Sequence, residues 1–374
     1  MPYRRPAWVE VDTSAIAHNV RTLRALVPAL TRLLAVVKAD GYGHGAEAVA
    51  RAALGAGAEG LGVATIDEAL VLRAAGLRAP ILVLGEPPAD AAEIVVGESL
   101  AVAVTSREMA IALSRAATRA DGRAACHLKV DTGMNRIGVR AEEAGEFALW
   151  LKELPGLAID GVFTHFATAD VPGDWDFERQ LTRFGLALQD VRAAGVRPGI
   201  VHAANSAATM LHPEAHFDMV RCGIAIYGLD AAPDLKDHLS LRDAMSVHAR
   251  VSFVKRIGLG DGVSYGLTWH ASGPTTIATL PIGYADGVPR IVSNKMEVLI
   301  GGRRCRQVGR VCMDQLMVEV PPGLDVRAGD EAVLVGAQGD ERIAMRELSA
   351  LAGTIDYEVA CGFALRMERR LTSA

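Results

Sequence analysis

Short apolar runs recur eight times between residues 30 and 230, each followed by an alanine-rich amphipathic stretch. They are Leu33–Lys38, Gly60–Thr65, Pro80–Gly85, Ala101–Thr105, Cys126–Asp131, Ala158–His165, Ile200–Asn205 and Met219–Tyr227. Strands that read as continuous apolar runs are buried on both faces, as in parallel sheets whose crossovers are helices. Eight such strands alternating with helices predict an α/β fold, an N-terminal (β/α)8 TIM barrel, with a doubly wound open sheet as the other topology. The helices between them are legible too: Ser14–Leu26 opens on a Ser cap, and Asp67–Ala75 stops at Gly76.

After Tyr227 the texture changes. Pro233–Asp243 is polar and linker-like, and beyond it come short alternating strands such as His248–Val254 and Thr275–Leu280, broken by Gly and Pro. The 374 residues exceed what one core serves. Two domains are expected: a barrel over 1–240 and a mostly β C-terminal domain over 241–374.

A formal charge of −5 gives no footprint for nucleic acid, and no stretch is long enough to span a bilayer. The five cysteines are scattered without metal-ligand spacing, so reduced thiols, no metal and a cytoplasmic location are expected.

Lys38 is the residue that points to chemistry. It ends an apolar run and is followed by Ala39-Asp40-Gly41-Tyr42-Gly43-His44-Gly45, so it stands where a buried strand emerges, the place where barrel enzymes keep their active groups. Desolvation there disfavours an ammonium and frees the amine to form a Schiff base. Arg221 is the second. It lies inside the apolar run Met219–Tyr227, where a guanidinium is either half of a structural ion pair or a functional cation.

The segment Val36–Gly45 resembles the cofactor-lysine segment of the alanine racemases, which carry pyridoxal 5′-phosphate. The resemblance continues in family order through Lys129–Gly138, Thr164–Asp170, Asn205-Ser206, Val220–Gly228, Ser264-Tyr265-Gly266, Ile282–Gly287 and Gly309–Asp314, covering nearly the whole chain. The departure is Asp40-Gly41, where the family often has Asn-Ala; it falls between the key positions.

The resemblance implies roles. Lys38 would bind the cofactor. Ser206, Gly223, Ile224, Tyr42 and Tyr357 would surround its phosphate, and Arg221, bonded by His202, would face its ring nitrogen. A fixed cation there keeps a proton off the ring, which favours racemisation over transamination. Racemisation needs an acid/base group on each face of the substrate, and Lys38 and Tyr265 are the implied pair. His165, matched to a family residue that touches this tyrosine and Arg221, would supply the positive environment a phenol needs to act near neutrality. Arg136 and Met313 look like contacts to the ring oxygen and the substrate carboxylate. Lys129 matches a lysine that often carries a carbamate, whose reversed charge would hold Arg136. Asp170, Tyr284, Arg290 and Arg310 match an entrance.

The implied activity is the interconversion of L- and D-alanine, supplying D-alanine for peptidoglycan, in a head-to-tail homodimer whose partner lends Tyr265 and Met313. A broad-specificity or serine-preferring racemase of the same fold is the alternative. Barrel proteins that only store the cofactor lack a second domain, and the Ser264-Tyr265-Gly266 and Cys312-Met313-Asp314 segments speak against that class. Barrel-plus-β decarboxylases of basic amino acids generally place an acid at the ring nitrogen, which Arg221 is not.

Overall fold

Strand β1 (Ala7–Asp12) opens the chain, yet it pairs antiparallel with a strand near residue 247 and parallel with one near residue 370. The computed structural model describes residues 5–171, 173, 175–232, 239–363 and 366–373. They fall into two compact units: Ile16–Gly41 with Ala46–Leu241, and Met1–Ala15 with Tyr42–Gly45 and Arg242–Ala374. The opening strand and the Tyr42–Gly45 turn thus group with the C-terminal residues, a departure from a division into 1–240 and 241–374. The reason is pairing: every ladder partner of β1 is supplied from beyond residue 244. Of the expected linker, residues 233–238 lie outside the described residues.

The first unit is the barrel. Its strands are β2 (Arg32–Val36), β3 (Gly60–Val63), β4 (Ile81–Val83), β5 (Ala101–Val104) and β6 (Ala124–Asp131); a two-residue strand β7 (Val139–Arg140); then β8 (Leu157–Phe163), β9 (Ile200–His202) and β10 (Met219–Cys222). Without β7, which pairs only on the rim with β6, eight parallel strands run β2-β3-β4-β5-β6-β8-β9-β10 and close through β10 onto β2. All eight apolar runs have become these strands. Their side chains fill the interior, where Leu34, Leu82 and Met219 pack together. Closure leaves no open strand edge in the barrel wall.

Helix entry follows cap chemistry, with one change from expectation. The first helix spans Thr13–Leu26, and its cap is Asp12, whose carboxylate accepts from the amides of Ser14 (2.8 Å) and Ala15 (3.1 Å) and from the Ser14 hydroxyl. An anion at a helix N-terminus does this better than a hydroxyl. The helix Ile66–Ala74 is capped by Thr65.

The second unit is mostly β: β11 (Met245–Arg250), β12 (Phe253–Ile257), β13 (Thr275–Leu280), β14 (Glu297–Ile300), β15 (Arg303–Val308), β16 (Leu316–Val320), β17 (Glu331–Gln338), β18 (Glu341–Ile343) and β19 (Glu368–Thr372). With β1 they form a ten-stranded sheet in the order β12-β13-β16-β15-β14-β17-β11-β1-β19, β18 pairing β17. Val263, Ile277 and Val308 form one of its apolar clusters. Among the described residues no helix is long and apolar enough to cross a membrane.

Candidate active site

Lys38 leaves β2 one residue after Val37, whose amide still bonds Gly62. The chain then turns left-handed for four residues, with φ of 51° at Ala39, Asp40 and Tyr42 and 62° at Gly41. Non-glycine residues in that region cost roughly 1–2 kcal/mol each. The turn is over-determined by its hydrogen bonds. Gly41 N–H donates to the Val37 carbonyl (2.9 Å), Ala46 N–H to Asp40 Oδ1 (2.9 Å) and Ala39 N–H to Glu68 Oε1 (2.7 Å). The other oxygen of Glu68 accepts from Ala64 N–H (2.7 Å), so one carboxylate ties the Lys38 turn to the end of β3. Sequence reasoning missed Glu68 because Thr65-x-x-Glu68 reads as an ordinary capping box.

Further round the barrel stand Lys129 on β6, His202 on β9, Arg221 on β10 and His165 just past β8. Arg221 is buried. Its Nη2 donates to the carbonyls of Thr164 (2.8 Å) and Ala203 (2.9 Å) and to His165 Nδ1 (3.1 Å), and Nη1 donates to His202 Nδ1 (3.0 Å). Every one of these acceptors is neutral. The structural ion pair is therefore not the account: no salt bridge engages Arg221 among the described residues. Burial pulls its pKa down to about 9, and the cation persists at neutral pH.

His165 is bonded to Arg221 and stands in the field of further basic groups. Burial, then Arg221, Lys129, Arg136 and Lys38, hold it well below the usual histidine range. The imidazole is therefore neutral and brings no positive charge of its own toward a phenol, a departure from the positive environment expected of it. Lys129 is pulled to about 7 by burial, Arg221 and Arg136, against Asp131. Such a field is suited to an anion.

Donors without charge lie where β9 and β10 end. Asn205 caps the short helix Ser206–Leu211 by accepting from Ala208 N–H (3.0 Å). Ser206 Oγ accepts from Gly223 N–H (2.9 Å) and Ala225 N–H (3.4 Å), so hydroxyl and amides share one spot beside buried Ile224. Arg136 and Asp170 lie exposed on loops after β6 and β8.

The remaining expected residues belong to the second unit. Tyr265 opens a tight turn and is 72% exposed, next to Ser264 at φ 66°. Ser264 Oγ donates to the Arg310 carbonyl (2.7 Å), and Tyr284 and Ala285 donate their amides to the carbonyls of Cys312 (2.9 Å) and Met313 (3.0 Å). Three segments distant in sequence are thus bonded into one face carrying Tyr265, Tyr284 and Met313. A cleft of about 610 Å³ runs beside Tyr265 and Cys312. Buried Asp286 anchors this face, accepting from Gly283 N–H (2.8 Å) and from Arg5 and Arg366. Arg290 is exposed at the start of a short turn. The rings of Tyr42 and Tyr357 meet edge-on at 6.1 Å.

A barrel with an emergent lysine, a buried guanidinium bonded to neutral groups and a Ser-capped loop after its last strands, followed by a β unit with an exposed tyrosine turn, defines a barrel-plus-β enzyme. Residues 11–231 match the family model "Alanine racemase, N-terminal domain" and residues 244–371 match "Alanine racemase, C-terminal domain". The chain belongs to the alanine racemases, a family of isomerases. It is 52% identical over 365 residues to the alanine racemase of Symbiobacterium thermophilum, covering 98% of this chain and 97% of that one. It is 44% identical to that of Desulfovibrio desulfuricans, covering 98% of each. The crystal structure of alanine racemase from D-cycloserine producing Streptomyces lavendulae superposes with a TM-score of 0.95 at 37% identity, covering 100% and 98%. That of the Bacillus anthracis alanine racemase with bound L-Ala-P does so with 0.93 at 40%, covering 100% and 96%.

Proposed function

We propose that the chain is a cytoplasmic, pyridoxal 5′-phosphate-dependent enzyme interconverting L- and D-alanine for peptidoglycan by a two-base mechanism. The observation that carries this is buried Arg221, a cation whose hydrogen bonds go to the carbonyls of Thr164 and Ala203 and to the imidazoles of His165 and His202, none of them an anion. The donor set fits the cofactor. The Ser206 hydroxyl, whose oxygen accepts from the Gly223 and Ala225 amides and whose own hydrogen is left to donate, would meet the phosphate beside Gly223, in keeping with loops after the last barrel strands. Ile224, Tyr42 and Tyr357 would complete its site, and Arg221, whose hydrogen bonds go to neutral partners, suits the ring nitrogen.

When bound, the cofactor supplies an electron-withdrawing ring that acidifies the α-hydrogen of an amino acid joined to it. Arg221 keeps a fixed cation at the ring nitrogen and so disfavours its protonation. Lys38 moves the proton at Cα on one face. Tyr265 of the partner subunit moves it on the other, in a head-to-tail homodimer that also brings Met313. Arg136 holds the substrate carboxylate, itself fixed by a carbamate on Lys129. Asp170, Tyr284, Arg290 and Arg310 line the entrance.

Incubation of the purified protein with L-alanine, D-alanine and L-serine, followed by circular dichroism, tests this reading. Decay of ellipticity from either alanine is expected. Faster decay from serine transfers the assignment to a serine-preferring racemase, and no decay with any of them refutes it. Borohydride followed by peptide mapping should fix the cofactor on Lys38; label on another peptide removes the role of that lysine.

A further inference from the structure

Two neutral imidazoles stand in line behind the cation of Arg221, His202 and then His127, and the farther one has been given no role. His127 is buried on β6, and its Nδ1 lies 2.8 Å from His202 Nε2. The direction of that bond follows from the guanidinium, which only donates. His202 Nδ1 must accept from Arg221 Nη1, so neutral His202 carries its proton on Nε2 and gives it to His127 Nδ1. His127 in turn keeps its proton on Nε2. The chain runs one way, Arg221 to His202 to His127. Were His127 to present an N–H at Nδ1, His202 would have to carry its own proton on Nδ1, facing the Arg221 donor. Burial and Arg221 hold His127 near a pKa of about 4, so it remains neutral near pH 7.

The barrel has a seat for this ring. The β6–β8 ladder shifts register between Cys126 and His127, which places His127 beside Gly161. A Cβ on Gly161 would lie 2.3 Å from His127 Nδ1, 2.6 Å from Cε1 and 2.9 Å from Cγ. Gly161 is not among the positive-φ residues, so its backbone does not demand glycine. Space for the imidazole does. Two residues further along β8, Phe163 stacks on His202 at 4.6 Å and 4°, and meets His127 edge-on.

We propose that His127, seated against Gly161, is a positioning residue: by accepting the buried Nε2–H of His202 it holds, jointly with the Arg221 bond, the tautomer of His202 and through it the orientation of Arg221. The proposal rests on the reading of Arg221 as the cation at the ring nitrogen only for its catalytic consequence. The test therefore has two readouts on the holoenzyme. In protein labelled with ¹⁵N-histidine, two-bond couplings report the tautomer of each imidazole. Wild type should show His127 and His202 as Nε2–H. In His127→Leu the buried Nε2–H of His202 is left without its acceptor, so the His202 signal should move toward Nδ1–H at the expense of the Arg221 bond, whereas His127→Gln, whose carbonyl can still accept, should preserve it. Gly161→Ala should reproduce the Leu variant without altering either imidazole chemically, and stands in if the Leu variant fails to fold.

The second readout is kinetic: kcat lower by about tenfold with KM within about twofold, the scale of one lost hydrogen bond, and a larger share of side transamination. An unmoved His202 tautomer in both His127→Leu and Gly161→Ala overturns the proposal. A moved tautomer with unchanged partitioning upholds the relay and refutes the role given to Arg221.

Discussion

The ammonium of Lys129 lies 4.5 Å over the ring of Phe163, and the guanidinium of Arg221 lies 5.4 Å from the same ring. Two basic side chains thus share one aromatic partner in a buried strand layer. With its pKa pulled to about 7, Lys129 is near half-neutral at physiological pH, and a neutral amine is what carbon dioxide adds to. The carbamate would convert a repulsive neighbour of Arg136 into an attractive one. We expect a ¹³C carbamate resonance after equilibration with ¹³C-bicarbonate, adding about 45 mass units and absent from Lys129→Ala. A spectrum identical in the two proteins would show the lysine to be unmodified.

Acid should unfold this protein through its buried histidines. His127, His165 and His202 all have folded pKa values below the ordinary 6.5, burial being the largest cause and Arg221 the next. Below about pH 6.5 the unfolded chain takes up protons that the folded one refuses, so stability falls as pH drops and levels off only near the folded values. For His127 that window runs from 6.5 to about 4. Its contribution is about 3 kcal/mol. Urea unfolding at pH 8, 6 and 5 measures it, and His127→Gln should flatten the decline. An equal slope in wild type and variant would contradict the assignment.

Glu68 accepts one amide with each oxygen, from Ala39 and from Ala64. Glu68→Gln keeps one acceptor but turns an NH₂ toward the other amide, and Glu68→Ala removes both. Each bond to a charged acceptor is worth about 1.5–3 kcal/mol, and the four left-handed residues after Lys38 depend on them. Both variants should lower the melting temperature, Ala no less than Gln, and both should lose kcat by about tenfold or more as Lys38 loses its fixed direction. Melting curves and initial rates are the measurements. A stability loss with untouched kcat would mean that Glu68 braces the loop and not the lysine.

The barrel could be read from the chain because each strand is a local apolar run, Leu33–Lys38 becoming β2 and Met219–Tyr227 containing β10. β1 could not be placed. Ala7–Asp12 has the alternation of a strand, but its partners lie more than 230 residues away, and local pattern carries no pairing information. Arg221 was legible because a guanidinium inside an apolar run is conspicuous, and its bond to His202 was implied by family resemblance. His127 was not. Its meaning depends on a register shift and on the absence of a side chain at Gly161, neither visible until strands are paired.

Tyr265 and Lys38 lie in different compact units of one chain. If Tyr265 of the partner subunit serves the site of Lys38, damage to the two residues must complement across chains. Lys38→Ala and Tyr265→Phe proteins, each inactive alone, are mixed under conditions of subunit exchange. With random pairing about half the dimers are hybrids, and each hybrid holds one doubly damaged site and one intact site. About a quarter of wild-type sites should return, the fraction rising to that limit as exchange proceeds. Native mass spectrometry follows the exchange and a racemisation assay follows the recovery. Were the tyrosine to act within its own chain, every site in every hybrid would keep one defect. Verified exchange without recovered activity would therefore remove the shared site while leaving the roles of both residues intact.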